Sequence, residues 1–323
     1  MKKGIAFYLD KKFIAYNGKE GNSHSILINH NIEKCFASAK NVIFSYDNND
    51  IIIRVFGDSL IFISDKKYEQ EDWLVSQNRL LKLANFTLAV MFSTSSEYVN
   101  LKKGCTLFFV NDKEITTKNI IHCLSNDEFS EICFKSCDGS VNKNDFMQRE
   151  DIEAFKRNNE ITPVYNLNTI NEFFNLFENN FNMLVNKHLK DIVYMLYRSV
   201  LESKKCNYDI SILLSFFVIE KIINLMWNDA LIEKGLYKKL KDDINYTTAI
   251  KTNMLYMNGV ISQEELDKID AARKIRNSIA HANFEFQNKF DNYGTALNTF
   301  LCSVDLFNKY YKINFKMPFI MEG

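Results

Sequence analysis

Residues that interrupt helices are scarce in this chain, and their scarcity limits the folds it can adopt. Proline occurs twice and glycine ten times in 323 residues, well below average usage. An all-β protein needs many tight turns, and these two residues supply most of them. The composition therefore favours long helices over at least part of the chain. Hydrophobic residues make up 46% of the sequence, enough for a substantial core.

The first part of the chain nevertheless has the pattern of a sheet. Short runs rich in Ile, Val, Phe and Tyr alternate with turn signals such as Asn17-Gly18 and predict strands. These runs lie at 3–9, 12–16, 24–29, 41–46, 50–56, 59–64, 105–110 and 131–136. A helical pattern over about 70–92 separates the last two runs from the others. We therefore expect an α+β domain in which a helix packs on one face of a sheet.

From Leu167 onward the apolar residues recur at helical spacing, with few strand signals. The candidate helices span 167–186, 188–204, 208–233, 236–257, 262–282 and 289–312. Pro163 and the polar residues before it indicate a boundary near residue 160. We therefore predict an α+β protein of two domains, a β-rich α+β domain over 1–160 and an all-α helical bundle over 161–323.

Charge and targeting signals exclude several classes of function. Forty basic residues balance forty acidic ones, in both halves of the chain, so bulk positive charge is not available to hold nucleic acid. The apolar start is interrupted by Asp10-Lys11-Lys12, which is not typical of a secretory signal. The most apolar window, 210–227, contains Glu220 and Lys221 and predicts a buried helix, with no membrane association. Seven cysteines without such a signal indicate reduced thiols and a cytoplasmic protein.

The helix predicted over 262–282 has the clearest start and the most informative end. Ser262 followed by Glu265 is a capping box, in which each side chain satisfies a free backbone N–H. Four apolar residues at helical spacing predict the buried stripe of this helix. They are Ile269, Ala272, Ile275 and Ile279.

Polar residues of one chemical kind lie beside that stripe. Arg273, Asn277 and His281 form a row spaced four residues apart, and Arg276 falls at the edge of the stripe. A guanidinium on an apolar edge is costly unless it meets an anion or a carboxylate. We therefore treat these four side chains as candidate functional residues.

Arginine, histidine and asparagine together suit phosphate chemistry. A guanidinium is a planar, permanent cation that matches phosphate geometry, and an imidazole exchanges a proton near neutral pH. An amide donates a neutral hydrogen bond to a developing oxyanion. RNA carries its own nucleophile in the 2′-hydroxyl, so such a set can cleave it without a metal. Arg276 and His281 are separated by about 7.5 Å of helical rise, so two copies facing each other would bracket a phosphate better than one.

The spacing alone leaves a structural alternative open. Cationic residues at the end of a helix are also typical of a last turn that complements the helix macrodipole. On that interpretation Arg276 and His281 stabilise the helix and carry no chemistry.

The segment Arg276-Asn277-Ser278-Ile279-Ala280-His281 resembles the R-N-x-x-A-H form of the Arg-x4-6-His signature of HEPN domains. These domains are helical bundles found in RNA-cleaving toxins, abortive-infection proteins and RNA-targeting CRISPR effectors. The order of a β-rich region before a bundle is most similar to the ApeA type. The resemblance covers about 165–315 and implies an HEPN-like bundle that dimerises and cleaves RNA without metal. It implies Arg276 and His281 as the catalytic pair, supported by Asn277.

One feature differs from part of that superfamily. HEPN toxins that are paired with a nucleotidyltransferase antitoxin often carry a tyrosine two residues after the histidine, and here that position is Asn283. We therefore expect no such partner.

Two other groups of residues are candidates for a site. Glu220 lies in an apolar helix, where a carboxylate needs a partner, and it either orients Arg273 or Arg276 or forms a solvated edge with Lys221. His122, Cys123, Cys133 and Cys137 have poor spacing for zinc and are better interpreted as small buried side chains. The sequence contains no GxxxxGK[ST], GxGxxG or HExxH motif, so no cofactor and no metal is expected.

The sequence therefore predicts a cytoplasmic, metal-independent endoribonuclease, with an antiviral or abortive-infection role implied by the resemblance alone. RNA is the expected substrate, and a homodimer through the C-terminal bundle is the expected assembly. The N-terminal domain would sense a trigger or restrain the bundle. The alternative is a non-catalytic dimerisation or RNA-binding module in which the same arginine and histidine only bind phosphate.

Overall fold

A computed structural model of the chain shows an α+β protein that divides into two compact units, 1–190 and 191–323. It describes residues 2–9, 14–16, 42–48, 50–57, 59–65, 73–101, 114–125, 132–136, 139–142, 164–240, 246–280 and 292–319. The β-rich first unit and the helical second unit confirm the predicted fold class.

The first unit is built on an antiparallel sheet. The strands of the unit are β1 (Lys2–Tyr8), β2 (Ile14–Tyr16), β3 (Val42–Asp47), β4 (Ile51–Phe56), β5 (Leu60–Asp65), β6 (Ile121–Ser125), β7 (Ile132–Ser136), β8 (Gly139–Asn142) and β9 (Val164–Asn166). Seven of these described strands form one sheet in the order β3-β4-β5-β1-β6-β7-β8, and β2 pairs with β9 in parallel. Every residue of β4 and β5 is buried, which agrees with the predominance of Ile, Val, Leu and Phe in these two strands.

Two helices of this unit pack against each other and against the sheet through aromatic side chains. Helix α1 (Trp73–Leu101) runs beyond the predicted end at residue 92, and α2 (Leu167–Asn186) packs against it and against β3. A stripe of phenylalanines on α2 provides the contact. Phe174 stacks on Phe44 of β3 with ring centroids 4.6 Å apart, and Phe181 lies 5.2 Å from Phe86 of α1.

The division between the units lies about thirty residues after the predicted boundary near 160. The prediction followed Pro163 and the polar residues before it. In the structure, α2 belongs to the first unit because its phenylalanine stripe is buried against the sheet and α1. Periodicity predicted that helix at its observed bounds, but it does not show which partner a stripe will meet.

The second unit is a helical bundle. Its helices are α3 (Lys190–Lys204), α4 (Tyr208–Glu233), α5 (Tyr237–Leu240), α6 (Thr248–Met257), α7 (Gln263–Ala280) and α8 (Asn292–Tyr311). The single helix predicted over 236–257 is thus two described helices, with 241–245 outside the described residues. Helix α4 contacts α6, α7 and α8 and is the centre of the bundle.

Helix α4 is long and apolar enough to cross a membrane by length and composition, a test that the core helix of a soluble protein also passes. More than half of its most apolar window is buried inside the protein. Glu220 and Lys221 interrupt its apolar surface. These observations confirm the predicted buried helix over 210–227.

Some strand predictions have no structural counterpart to compare. The runs at 24–29 and 105–110 lie outside the described residues. Strands β6, β8 and β9 were not predicted, because they are short or carry His, Ser and Asn among their apolar residues. Such strands are too short or too polar to show the alternation of apolar and polar residues that identifies a half-buried strand from sequence.

Candidate active site

The helix that carries the RNxxAH segment is α7, and its start is fixed as the capping box predicts. The backbone N–H of Ser262 donates to Glu265 Oε2 at 2.7 Å, and the backbone N–H of Glu265 donates to Ser262 Oγ at 3.2 Å. Lys309 of α8 donates to the same carboxylate at 2.6 Å. Burial raises the pKa of Glu265, but the hydrogen bonds from Lys309 and Ser262 outweigh it and leave that pKa below its usual range.

The buried stripe of α7 is shorter than predicted. Ile269 and Ala272 are buried, but Ile275 and Ile279 are only half-buried. The prediction was therefore correct for the first half of the stripe and wrong for the second. Periodicity places all four residues on one face, but the depth of burial depends on how far along the helix its neighbours extend.

Arg276 lies half-buried at the point where the stripe becomes exposed. Its guanidinium carbon lies 5.6 Å from the ring centroid of Phe216 on α4, within the range of a cation–π contact. Its Nη1 donates to Asn277 Oδ1 at 3.0 Å. Among the described residues no carboxylate is within ion-pair distance of Arg276, so its charge is not neutralised there.

Asn277 is joined to Arg276 through its acceptor oxygen. A guanidinium offers only donors, so the amide must accept with Oδ1. The two N–H donors on Nδ2 have no acceptor within the described part of the chain. Asn277 can therefore hold Arg276 and still donate to a second oxygen.

Arg273 is in a different environment, although it lies less than one turn before Arg276. Its Nε and Nη2 donate to Asp270 Oδ1 at 3.2 and 3.1 Å. This pair lies within α7 and is about one third exposed. Arg273, one of the four candidate functional residues, is therefore less able to bind a substrate anion, because Asp270 already neutralises its charge.

Glu220 does not meet either arginine. Thr248 Oγ1, at the start of α6, donates to Glu220 Oε1 at 2.7 Å. Lys221 beside it is exposed. The predicted contact of Glu220 with Arg273 or Arg276 is therefore not formed in the structure, because a hydroxyl on a neighbouring helix satisfies the carboxylate instead.

The alternative interpretation of the motif, in which its cations complement the helix macrodipole, depends on where α7 ends. No basic residue lies in the last turn of this helix as the structure describes it, since Arg276 precedes that turn. The macrodipole therefore does not explain the position of Arg276, because the effect is confined to the terminal turn. His281 directly follows Ala280 in the chain and lies outside the described residues.

Phe216 is the site residue that sequence reasoning missed. It is 2% exposed and lies one turn before Glu220 on α4. The position of Arg276 at the edge of an apolar stripe predicts a partner that is an anion or a carboxylate. An aromatic ring on the neighbouring helix stabilises the guanidinium instead. This partner could not be predicted, because the sequence does not show which face of α4 contacts α7.

The remaining candidates form no site among the described residues. No group of three or more His, Cys, Asp or Glu side chains in the described ranges could hold a metal ion. Cys137 of the weak zinc candidate lies outside those ranges. Comparison of the chain with protein-family models, with curated proteins and with solved structures gives no match.

Proposed function

We propose that this protein is a metal-independent endoribonuclease of the HEPN type, cytoplasmic and active as a homodimer, and that it serves in anti-phage or abortive-infection defence. The observation that carries the proposal is the environment of Arg276. The resemblance of residues 276–281 to the RNxxAH motif supports the reaction type. The defence role rests on that resemblance alone.

Arg276 has the properties of an anion-binding side chain. It is half-buried, held by a ring and an amide, and without a carboxylate partner among the described residues. A guanidinium that is partly removed from water and not neutralised gains most from binding an anion. A phosphodiester supplies that charge in a geometry that matches the planar fork.

The residues of the motif divide the reaction between them. Attack of the 2′-hydroxyl on the adjacent phosphorus forms a 2′,3′-cyclic phosphate and breaks the bond to the 5′-oxygen of the next nucleotide. His281 takes the proton of the 2′-hydroxyl or gives one to the leaving oxygen, which becomes a 5′-hydroxyl. Arg276 stabilises the charge on the pentacoordinate phosphorus, and Asn277 Nδ2 donates to one of its oxygens.

The apolar residues around Arg276 support a dimer. Ile275 and Ile279 of α7 are half-buried, and Phe217, which follows Phe216 in the sequence of α4, is 43% exposed. These side chains belong to two helices that are in contact, and partly exposed apolar residues on neighbouring helices suit an interaction surface. A second copy on this surface would bring two Arg276–His281 pairs together.

The decisive experiment combines cleavage with analysis of the product ends. Purified wild type, His281→Ala and Lys274→Gln are incubated with total RNA in EDTA. We expect cleavage by the wild type and by Lys274→Gln, which changes an exposed cation of the same helix. His281→Ala should be inactive, and the products should carry a 2′,3′-cyclic or 3′-phosphate and a 5′-hydroxyl.

Three outcomes contradict this proposal. A 5′-phosphate product excludes attack by the 2′-hydroxyl, and loss of activity in EDTA with rescue by a divalent ion excludes the metal-independent reaction. RNA that is bound but not cleaved by the wild type favours the alternative, a non-catalytic RNA-binding or dimerisation module.

A further inference from the structure

We propose that Phe216 is a positioning residue for Arg276. The face of the Phe216 ring holds the guanidinium. The charge of Arg276 and most of its N–H donors are thereby left for a substrate phosphate. This inference rests on the proposed function. The ring belongs to α4 and the guanidinium to α7, so the contact also fixes the distance between the motif and the central helix of the bundle.

The kind of partner decides what Arg276 can still bind. A carboxylate neutralises a guanidinium and occupies its N–H donors, as Asp270 does with Nε and Nη2 of Arg273. A ring attracts the cation through its electron-rich face and accepts no conventional hydrogen bond. Of the donors of Arg276, only Nη1 has an acceptor among the described residues, the Oδ1 of Asn277.

The neighbouring carboxylate on α4 forms no ion pair with Arg276. Glu220 lies one turn beyond Phe216 on the same row of the helix, but Thr248 Oγ1 donates to it at 2.7 Å. The surroundings of Arg276 therefore combine a buried ring with an acidic group that is already hydrogen-bonded. This arrangement keeps a cation in place without cancelling it.

The test replaces Phe216 in the full-length protein with phenylalanines that carry one, two and three ring fluorines. Fluorination changes the shape of the ring little and weakens its attraction for a cation step by step. We expect kcat for RNA cleavage to fall at each step, to about 3- to 30-fold below wild type, with an unchanged Tm. The same series at Phe307, a buried phenylalanine of α8, is the control and should leave kcat unchanged.

A second measurement tests the contact without relying on activity. The NMR signals of the Arg276 guanidinium are assigned by their loss in Arg276→Lys. The ring current of Phe216 should displace them in the wild type, and Phe216→Leu should move them to ordinary arginine positions.

The outcomes separate this inference from the proposed function. A wild type that cleaves RNA with a kcat that does not vary along the fluorine series overturns the positioning role. An Arg276 signal that is the same in wild type and Phe216→Leu also overturns it. A wild type that cleaves no RNA defeats the proposed function, and the guanidinium signal then decides by itself whether Phe216 holds Arg276.

Discussion

The two halves of α7 differ in how completely their polar side chains are paired and their apolar side chains are buried. In the first half, Ser262 and Glu265 cap each other, Lys309 pairs with Glu265, and Ile269 is fully buried. In the second half the apolar side chains are half-buried, and Arg276 has a ring and an amide in place of a carboxylate. One helix therefore combines a satisfied end with an end that retains binding capacity.

This difference indicates a division of roles along the helix. The satisfied half fixes the position of α7 against α4 and α8, so the other half can hold an unneutralised cation at small cost to the fold. Sites that bind or react are commonly less well satisfied than the surrounding structure, and a stable neighbouring segment compensates for this.

The largest expected difference along α7 is in activity, between two arginines that lie three residues apart but have different partners. Arg276→Lys keeps the charge and loses the planar fork, so it should lower kcat by at least about 100-fold, within the roughly 10²–10⁴-fold range of a catalytic group. Arg273→Lys should cost much less, because Asp270 holds a cation of either shape. The measurement is initial cleavage rate at saturating RNA for both variants. Equal losses of cleavage rate would show that the two arginines contribute equally to the reaction, although only one of them is paired with a carboxylate.

Many features of α7 could be predicted from the sequence. The others depend on the helices that pack against it. The capping box and the positions of the arginines follow from spacing within one helix, which is local information. The depth of burial of Ile275 and Ile279 depends on where α4 ends its contact with α7, and the choice between Glu220 and Phe216 as a partner depends on the rotation of α4. Local sequence patterns contain no information about the extent of the contact between α4 and α7 or about the rotation of α4. The same reason explains why the sequence pattern places α2 with the bundle, whereas the structure groups it with the first unit.

The second expected difference is in stability. Ile269→Ala removes a fully buried side chain and should lower the free energy of unfolding by about 2–5 kcal/mol. Ile279→Ala removes a half-buried one and should cost about 1 kcal/mol or less in the monomer. Urea denaturation of both variants at low protein concentration measures the two values. A cost for Ile279→Ala as large as that for Ile269→Ala would mean that both halves of α7 contribute equally to the core.

The proposed dimer should respond to a charge placed on the partly exposed surface of α4. Phe217→Glu places a carboxylate on the partly exposed surface beside Phe216 and should raise the Kd of the dimer by about 100-fold or more, because an unpaired charge would be buried there. Ile232→Glu is the matched control, since Ile232 is 60% exposed and lies four turns further along α4. Sedimentation at several concentrations measures both. A dimer that resists Phe217→Glu and dissociates with Ile232→Glu would place the interface at the other end of the helix.

The smallest expected effect tests the satisfied half through pH. The pKa of Glu265 is below its usual range, so its contribution to stability is fully present above the unfolded value of about 4.3 and is lost as the pH falls through the lower folded value. The wild type should therefore lose stability relative to Glu265→Gln between about pH 5 and pH 3, by an amount near the ~1 kcal/mol of a helix cap. Glu264→Gln, a change at the exposed neighbour paired with Lys268, should follow the wild type. Thermal unfolding of the three proteins across this range measures the difference. If Glu265→Gln loses stability in parallel with the wild type, the carboxylate does not fix the start of α7, and the satisfied half of the helix must be attributed to apolar burial alone.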